Sequence, residues 1–117
     1  MRTEQAPLDW SPKEVAALFG APSSTEEDDP DEIWRAYRGD VLLWFAVTPA
    51  NSEVSIGLHH NKDGAVIFDG SSVRCDRIER VHSEHRGEGL ALWRDGRKLM
   101  NVWVRPRIRV ELRGVWT

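Results

Sequence analysis

The sequence predicts an α+β fold that is mainly antiparallel β, with one short N-terminal helix packed on a meandering sheet of about six to seven strands. Three observations predict it. A helix-start signature stands at Ser11. From Ile33 the apolar period falls from that of a helix to that of a strand. Turn-forming Gly, Asp and Asn then recur between alternating segments as far as Arg113. The expected organisation is a single domain over 1–117: an N-terminal extension (1–10), a helix (12–19), an acidic loop (21–32) and an antiparallel sheet (33–113).

The helix is specified locally. The Ser11 hydroxyl can accept from the N–H of Glu14 while the Glu14 carboxylate reaches back to the Ser11 N–H, the reciprocal capping box. Pro12 suits a first helical position, where its missing N–H has no partner to lose. Trp10 and Val15 are spaced for a hydrophobic staple, Val15, Ala16, Leu18 and Phe19 make an apolar stripe, and Gly20 offers a left-handed stop. Two turns of helix are marginal alone in water, so this one must dock on something.

Six acids then crowd positions 26–32, a composition that cannot bury apolar surface and reads as a solvated loop. IWRAYR and VLLWFAVT flank Gly39-Asp40, a hairpin with a two-residue turn. That turn sets Arg38 opposite Val41, Arg35 opposite Trp44 and Trp34 opposite Phe45, and gathers Trp34, Ala36, Leu43 and Phe45 on one face. Residues 41–47 are apolar on both faces, as in a central strand covered on both sides. Val54, Ile56 and Leu58 alternate with Glu53, Ser55 and Gly57, a half-buried strand. Asn61-Lys62-Asp63-Gly64 and Asp69-Gly70-Ser71-Ser72 read as turns around AVIFD.

Over 73–82 the parity of Val73 and Cys75 is broken by Ile78, which implies a bulge or a short helix, and SEHRGEG reads as a loop. LALW and KLMNVW flank Asp95-Gly96. A three-residue turn with Gly96 left-handed would gather Leu90, Leu92, Met100 and Val102 on one face. Finally Val102, Val104, Pro106, Ile108, Val110 and Leu112 alternate with Trp103, Arg105, Arg107, Arg109, Glu111 and Arg113. A continuous strand here would run about 40 Å. Pro106 cannot donate to a ladder and marks it as an edge strand, a bulge or a bend between sheet regions.

With 117 residues, 40% apolar, and six tryptophans, the chain can bury about two-thirds of its unfolded surface without staples. Cys75 is alone, so no intramolecular disulfide forms. With no signal-like start and no apolar run of about 18 residues, the expected setting is the cytoplasm, with no membrane contact. The net charge of −3 is unevenly spread. Residues 1–60 carry four Lys/Arg against eleven Asp/Glu, and residues 61–117 carry twelve against eight. Such polarity points to a charged partner or to halves that complement each other.

Candidate sites follow from the charges. Arg105, Arg107, Arg109 and Arg113 would stand about 7 Å apart on one strand face with Trp103 at its end, a surface able to hold phosphates, stack a base or grip acidic protein. The same arginines could instead pair with acids of a neighbouring strand. Glu26, Glu27, Asp28 and Asp29 would present an acidic surface, lacking the spacing of a calcium loop. His82 and His85, in a loop, are candidate metal ligands; of His59 and His60 only one could join them, since strand neighbours point to opposite faces. Cys75 reads as a buried, inert thiol. Neither a nucleophile elbow nor a phosphate-cradling glycine loop occurs, so no cofactor is expected and enzymatic activity finds little support.

SPKEVAALFGAPSST resembles the opening of an excisionase-type helix-turn-helix, but EEDDPDE stands where that family has its basic recognition helix, and phosphate repulsion excludes such docking. Over 11–58, the helix ending Phe19-Gly20-Ala21-Pro22, the polar gap before Trp34 and Tyr37, and then LLWF and VSI together resemble small bacterial α+β proteins with a curved antiparallel sheet. Toxin-immunity proteins and small outer-membrane assembly lipoproteins both include that shape. The lipoproteins need a signal and a lipid-bearing cysteine that this start lacks. The immunity resemblance implies an intracellular binder that covers a toxin's site without catalysis. The leading expectation is therefore a non-enzymatic protein-binding domain, with a homodimer through an edge strand as a further arrangement. The alternatives are a nucleic-acid-binding strand face and a metal-dependent enzyme using His82 and His85.

Overall fold

The computed structural model describes residues 8–20 and 32–113. Helix α1 (Pro12–Phe19) is followed by eight strands among the described residues: β1 (Glu32–Arg38), β2 (Val41–Thr48), β3 (Glu53–His60), β4 (Val66–Arg74), β5 (Arg77–Ser83), β6 (Gly87–Arg94), β7 (Arg97–Arg105) and β8 (Arg109–Leu112). They do not form one sheet. β1-β2-β3-β4 and β5-β6-β7-β8 are two separate four-stranded antiparallel meanders, each in chain order.

The expected single sheet divides at Arg74–Arg77, and the division explains the broken parity. Val73 and Ile78 belong to different sheets, and Cys75 and Asp76 make the crossing. Backbone bonds clamp it: Cys75 N–H donates to the Ser52 carbonyl (3.0 Å) and Asp76 N–H to that of Trp93 (2.8 Å). Within the N-terminal extension expected over 1–10, the described residues take part in the fold from Leu8. Asp9 bridges to Arg77 in parallel, and its backbone exchanges bonds with Asp76 and Ile78. The acidic segment 21–31 lies outside the described residues, and Glu32 opens β1.

Within the first sheet the hairpin register is as the turn requires: Arg38 faces Val41, Arg35 faces Trp44 and Trp34 faces Phe45. Trp34, Ala36, Leu43 and Phe45 are buried, joined by Val54, Ile56 and Leu58. Asp69-Gly70-Ser71-Ser72 is not a turn. It is a bulge inside β4, where Ser71 and Ser72 oppose Ser55 between the pairs Val54–Val73 and Ile56–Gly70. The Ser55 hydroxyl accepts from the Ser72 N–H (2.9 Å), holding Ser72 at φ 53° so that the strand continues.

In the second sheet Leu90 faces Val102 and Leu92 faces Met100, and all four are buried as expected, by a different device. Asp95 and Gly96, at φ 53° and 76°, form a two-residue turn, and one extra residue in β7 at Leu99 restores the parity.

The buried faces of both sheets and the helix side chains Val15 and Leu18 form one core cluster. Helix α1 packs against β1, β6 and β7. Phe19 stacks on Phe45 (5.6 Å between centroids), and Trp10 meets Trp34 edge-on (5.9 Å). The Ser11 hydroxyl caps the Glu14 N–H at 3.3 Å. The reciprocal half of the box is replaced: the Glu14 carboxylate accepts from Arg80 (3.3 Å), which also reaches Glu88 (2.9 Å), and Glu88 accepts from Arg105 (3.1 Å). This chain of charges ties the helix to the second sheet.

Candidate functional site

The terminal segment is the largest correction to the sequence reading. Residues 102–113 are not one strand of about 40 Å. The chain reverses after Arg105, at a cis peptide to Pro106, and returns as β8, which pairs antiparallel with β7 so that Trp103 faces Arg109 and Asn101 faces Glu111. Proline has no N–H to continue the ladder, which is why the bend falls there. The expected row of arginines is therefore split between the two arms of a hairpin.

Trp103 is 4% exposed. Its ring lies over Gly89, where a Cβ would come within 3.0 Å of Cε3, and its indole N–H donates to Glu111. Glu111 also accepts from Arg86 (3.0 Å). The Trp103 hydrogen bond, then Arg86, and then the charge of Arg109, hold the Glu111 carboxyl below the usual carboxylate range. The nucleic-acid reading required an exposed Trp103 beside aligned arginines, and neither condition holds. Arg105 belongs to the charge chain through Glu88 and also donates to the Ala17 carbonyl (3.4 Å). Arg113 sits past the end of β8, its N–H donating to the Leu99 carbonyl (2.8 Å).

Arg107 and Arg109 do come together with residues that the alternation could not reveal. A groove of about 460 Å³ is lined by His85, Arg86, Pro106, Arg107, Ile108 and Arg109. A second, of about 310 Å³, lies between Arg38, Gly39 and Val41 on the β1–β2 turn and the same Pro106, Arg107 and Ile108. The loop 106–108 thus has a groove on each flank. Arg38 carried no sequence signal for this site, because its partners lie in the other sheet.

The outer face of the first sheet holds another depression, of about 460 Å³, lined by Arg35, Leu42, Trp44, Gly57, His59, His60, Asn61, Gly64 and Asp69. Registered rows cross all four strands here: Tyr37, Leu42, His59 and Val66 in one, Arg35, Trp44, Gly57 and Asp69 in the next. Gly57 makes the floor, since a Cβ there would approach the His59 ring at 2.9 Å. Tyr37 and Val66 are 55% and 62% exposed, so the face of β2 expected to be covered is half open. The Gly57–Trp44 pairing, implied by the hairpin register and the strand after it, was the available signal.

His82 lies within β5, paired with Glu88, rather than in a loop; His85 is in the turn after Ser83. Among the described residues no group of three or more His, Cys, Asp or Glu is placed to hold a metal ion. Cys75 is buried, and desolvation, with the neighbouring Asp76 charge, pushes its thiol up to about 12. Glu26, Glu27, Asp28 and Asp29 lie outside the described residues. No helix among the described residues is long and apolar enough to cross a membrane.

No family model and no curated protein matches the chain. Among solved structures it is similar to a chain of a contact-dependent growth inhibition toxin–immunity protein complex from Klebsiella pneumoniae 342. The TM-score is 0.75 at 14% identity, covering 89% of this chain and 94% of that one. The helix followed by antiparallel strands, expected from residues 11–58, is thus a fold shared over nearly the whole length of both chains.

Proposed function

We propose that this chain is an immunity-type binding domain: a bacterial, cytoplasmic protein that binds a protein partner through its surface and neutralises it without catalysis of its own. The observation that carries the reading is the shared fold with a chain from a toxin–immunity protein complex, extending over 89% of this chain. Two features support the inhibitor's side of such a pair. The histidines are dispersed between the sheets, with His59 and His60 at the end of β3 and His82 and His85 around the β5–β6 turn. The one thiol is buried and held protonated.

The test uses the protein encoded beside this chain's gene. Expressed alone, the neighbour should arrest growth; expressed with this chain, growth should recover, and the two purified proteins should co-elute. A harmless neighbour, or an arrest that this chain leaves unchanged, overturns the reading. Growth arrest by this chain alone would place it on the toxin's side of the pair.

A further inference from the structure

Three surfaces stand apart from the core: the depression around Trp44, the edge of β4, and the arginine-lined end of the molecule. The third carries the argument furthest. Three separate pieces of chain build it: the β1–β2 turn with Arg38, the β5–β6 turn with His85 and Arg86, and the loop 106–108 leading into Arg109. Arg107 lines both grooves. Among the described residues Arg38, Arg107 and Arg109 make no ion pair within 4.0 Å, whereas Arg80, Arg86 and Arg105 each do. Glu111 serves Trp103 and Arg86 and acts on Arg109 only through its charge, and Asp40 and Glu84, on the same two turns, make no ion pair with these arginines. The end therefore carries three guanidinium groups that no described carboxylate pairs directly, beside an apolar wall of Val41, Pro106 and Ile108.

We infer that these two grooves dock an acidic segment of a protein partner, its carboxylates on Arg38, Arg107 and Arg109 and an apolar side chain between them against Val41 and Ile108. The inference rests on the binding role proposed above and names the chemistry of the surface that would serve it. Guanidinium forks suit carboxylates and phosphates alike. The choice of protein over nucleic acid follows from the lining. His85 is the one ring among the residues lining the two grooves, too little for a stacking platform, Trp103 is buried, and the whole chain carries a net charge of −3, which repels a polyanion at long range. A short acidic segment needs only local complementarity.

The probe is a fluorescein-labelled synthetic peptide of alternating Asp, Glu and Leu, read by anisotropy against this chain, with a single-stranded oligonucleotide of equal charge alongside. Wild type should bind the peptide and weaken as salt rises, and Arg107→Glu with Arg109→Glu should weaken it at least about tenfold, the equivalent of one lost charged contact. Arg38→Glu alone should show a smaller loss. Arg97→Glu, at the start of β7, should leave binding unchanged.

Absence of peptide binding, an unchanged affinity in the double variant, or a preference for the oligonucleotide each overturns the inference. The same double variant is then tried in the growth assay. A neighbour still neutralised by it overturns the inference while sparing the binding role; a neighbour that even wild type ignores overturns that role, whatever the peptide shows.

Discussion

Replacing Gly87 by alanine should destabilise the protein by about 4 kcal/mol, and the estimate has two parts. Gly87 opens β6 at φ 96°, a conformation in which a side chain costs about 1–3 kcal/mol. Its added Cβ would also stand 1.9 Å from the Arg105 carbonyl oxygen and 2.5 Å from Pro106 Cδ. Neither can swing away, so β6 or the 105–106 bend must move, a further cost of about 1–3 kcal/mol. Gly39→Ala is the control. Gly39 sits at φ 59° with nothing within 4 Å of a new Cβ, so about 1 kcal/mol is expected. With a urea slope of about 1.5 kcal/mol/M, the two variants should unfold with midpoints about 2 M apart. Tryptophan fluorescence and far-UV circular dichroism would follow the transitions. Midpoints within about 0.3 M of each other, about 0.5 kcal/mol at that slope, would refute the claim that β6 packs against the bend at glycine distance.

Three further outcomes are expected. Because Glu111 is held below its ordinary value in the folded state, its contribution is complete above the usual carboxylate range and is lost as pH falls through the depressed folded value. Trp103→Phe, which removes the first cause of that depression, should lose about 1–2 kcal/mol at neutral pH and flatten the acid side of the stability profile; parallel profiles for variant and wild type would sink the assignment. Arg80→Met should lower stability by about 1 kcal/mol or less, because its ion pairs are partly exposed, yet should raise hydrogen exchange in α1 selectively. Equal exchange in α1 would mean that the charge chain does not hold the helix. Cys75 should resist a thiol-specific disulfide reagent at mildly alkaline pH while the chain is folded and react on denaturation; rapid reaction in the folded state contradicts its burial.

Much of the first half of the fold could be read from local chemistry. The helix bounds, the Ser11 cap and the register of β1 on β2 follow from interactions within a few residues, where capping and turn geometry leave few choices. The errors came where a local signal was consistent with two long-range outcomes. Alternation through Pro106 is compatible with one long strand or with a hairpin that switches partner, since both keep period 2; the pairing of Trp103 with Arg109 depends on contacts that no spacing rule contains. Gly70-Ser71-Ser72 has turn composition, but Ser55 across the ladder converts it into a bulge. The candidate site shows the same division. Arg107 and Arg109 were visible as charges, whereas Arg38 joins them through the approach of one sheet's turn to the other sheet's loop.

The two meanders are also consecutive in the chain, and that order governs how the protein assembles. Within each sheet every strand pairs with its neighbour in sequence, so each sheet can zip by closing short loops, with little entropy lost at each step. The contacts that span the chain lie elsewhere, in the shared core and at the crossing where Asp9 meets Asp76 and Ile78. Docking of one finished meander on the other, locked by α1 and the segment before it, is then the step expected to come late. An intermediate with one sheet formed would expose the apolar face bearing Trp34, Leu43 and Phe45, or that bearing Leu90, Met100 and Val102. Either face would invite aggregation until its mate arrives, so removing the residues before α1 should slow closure of the core far more than formation of either sheet.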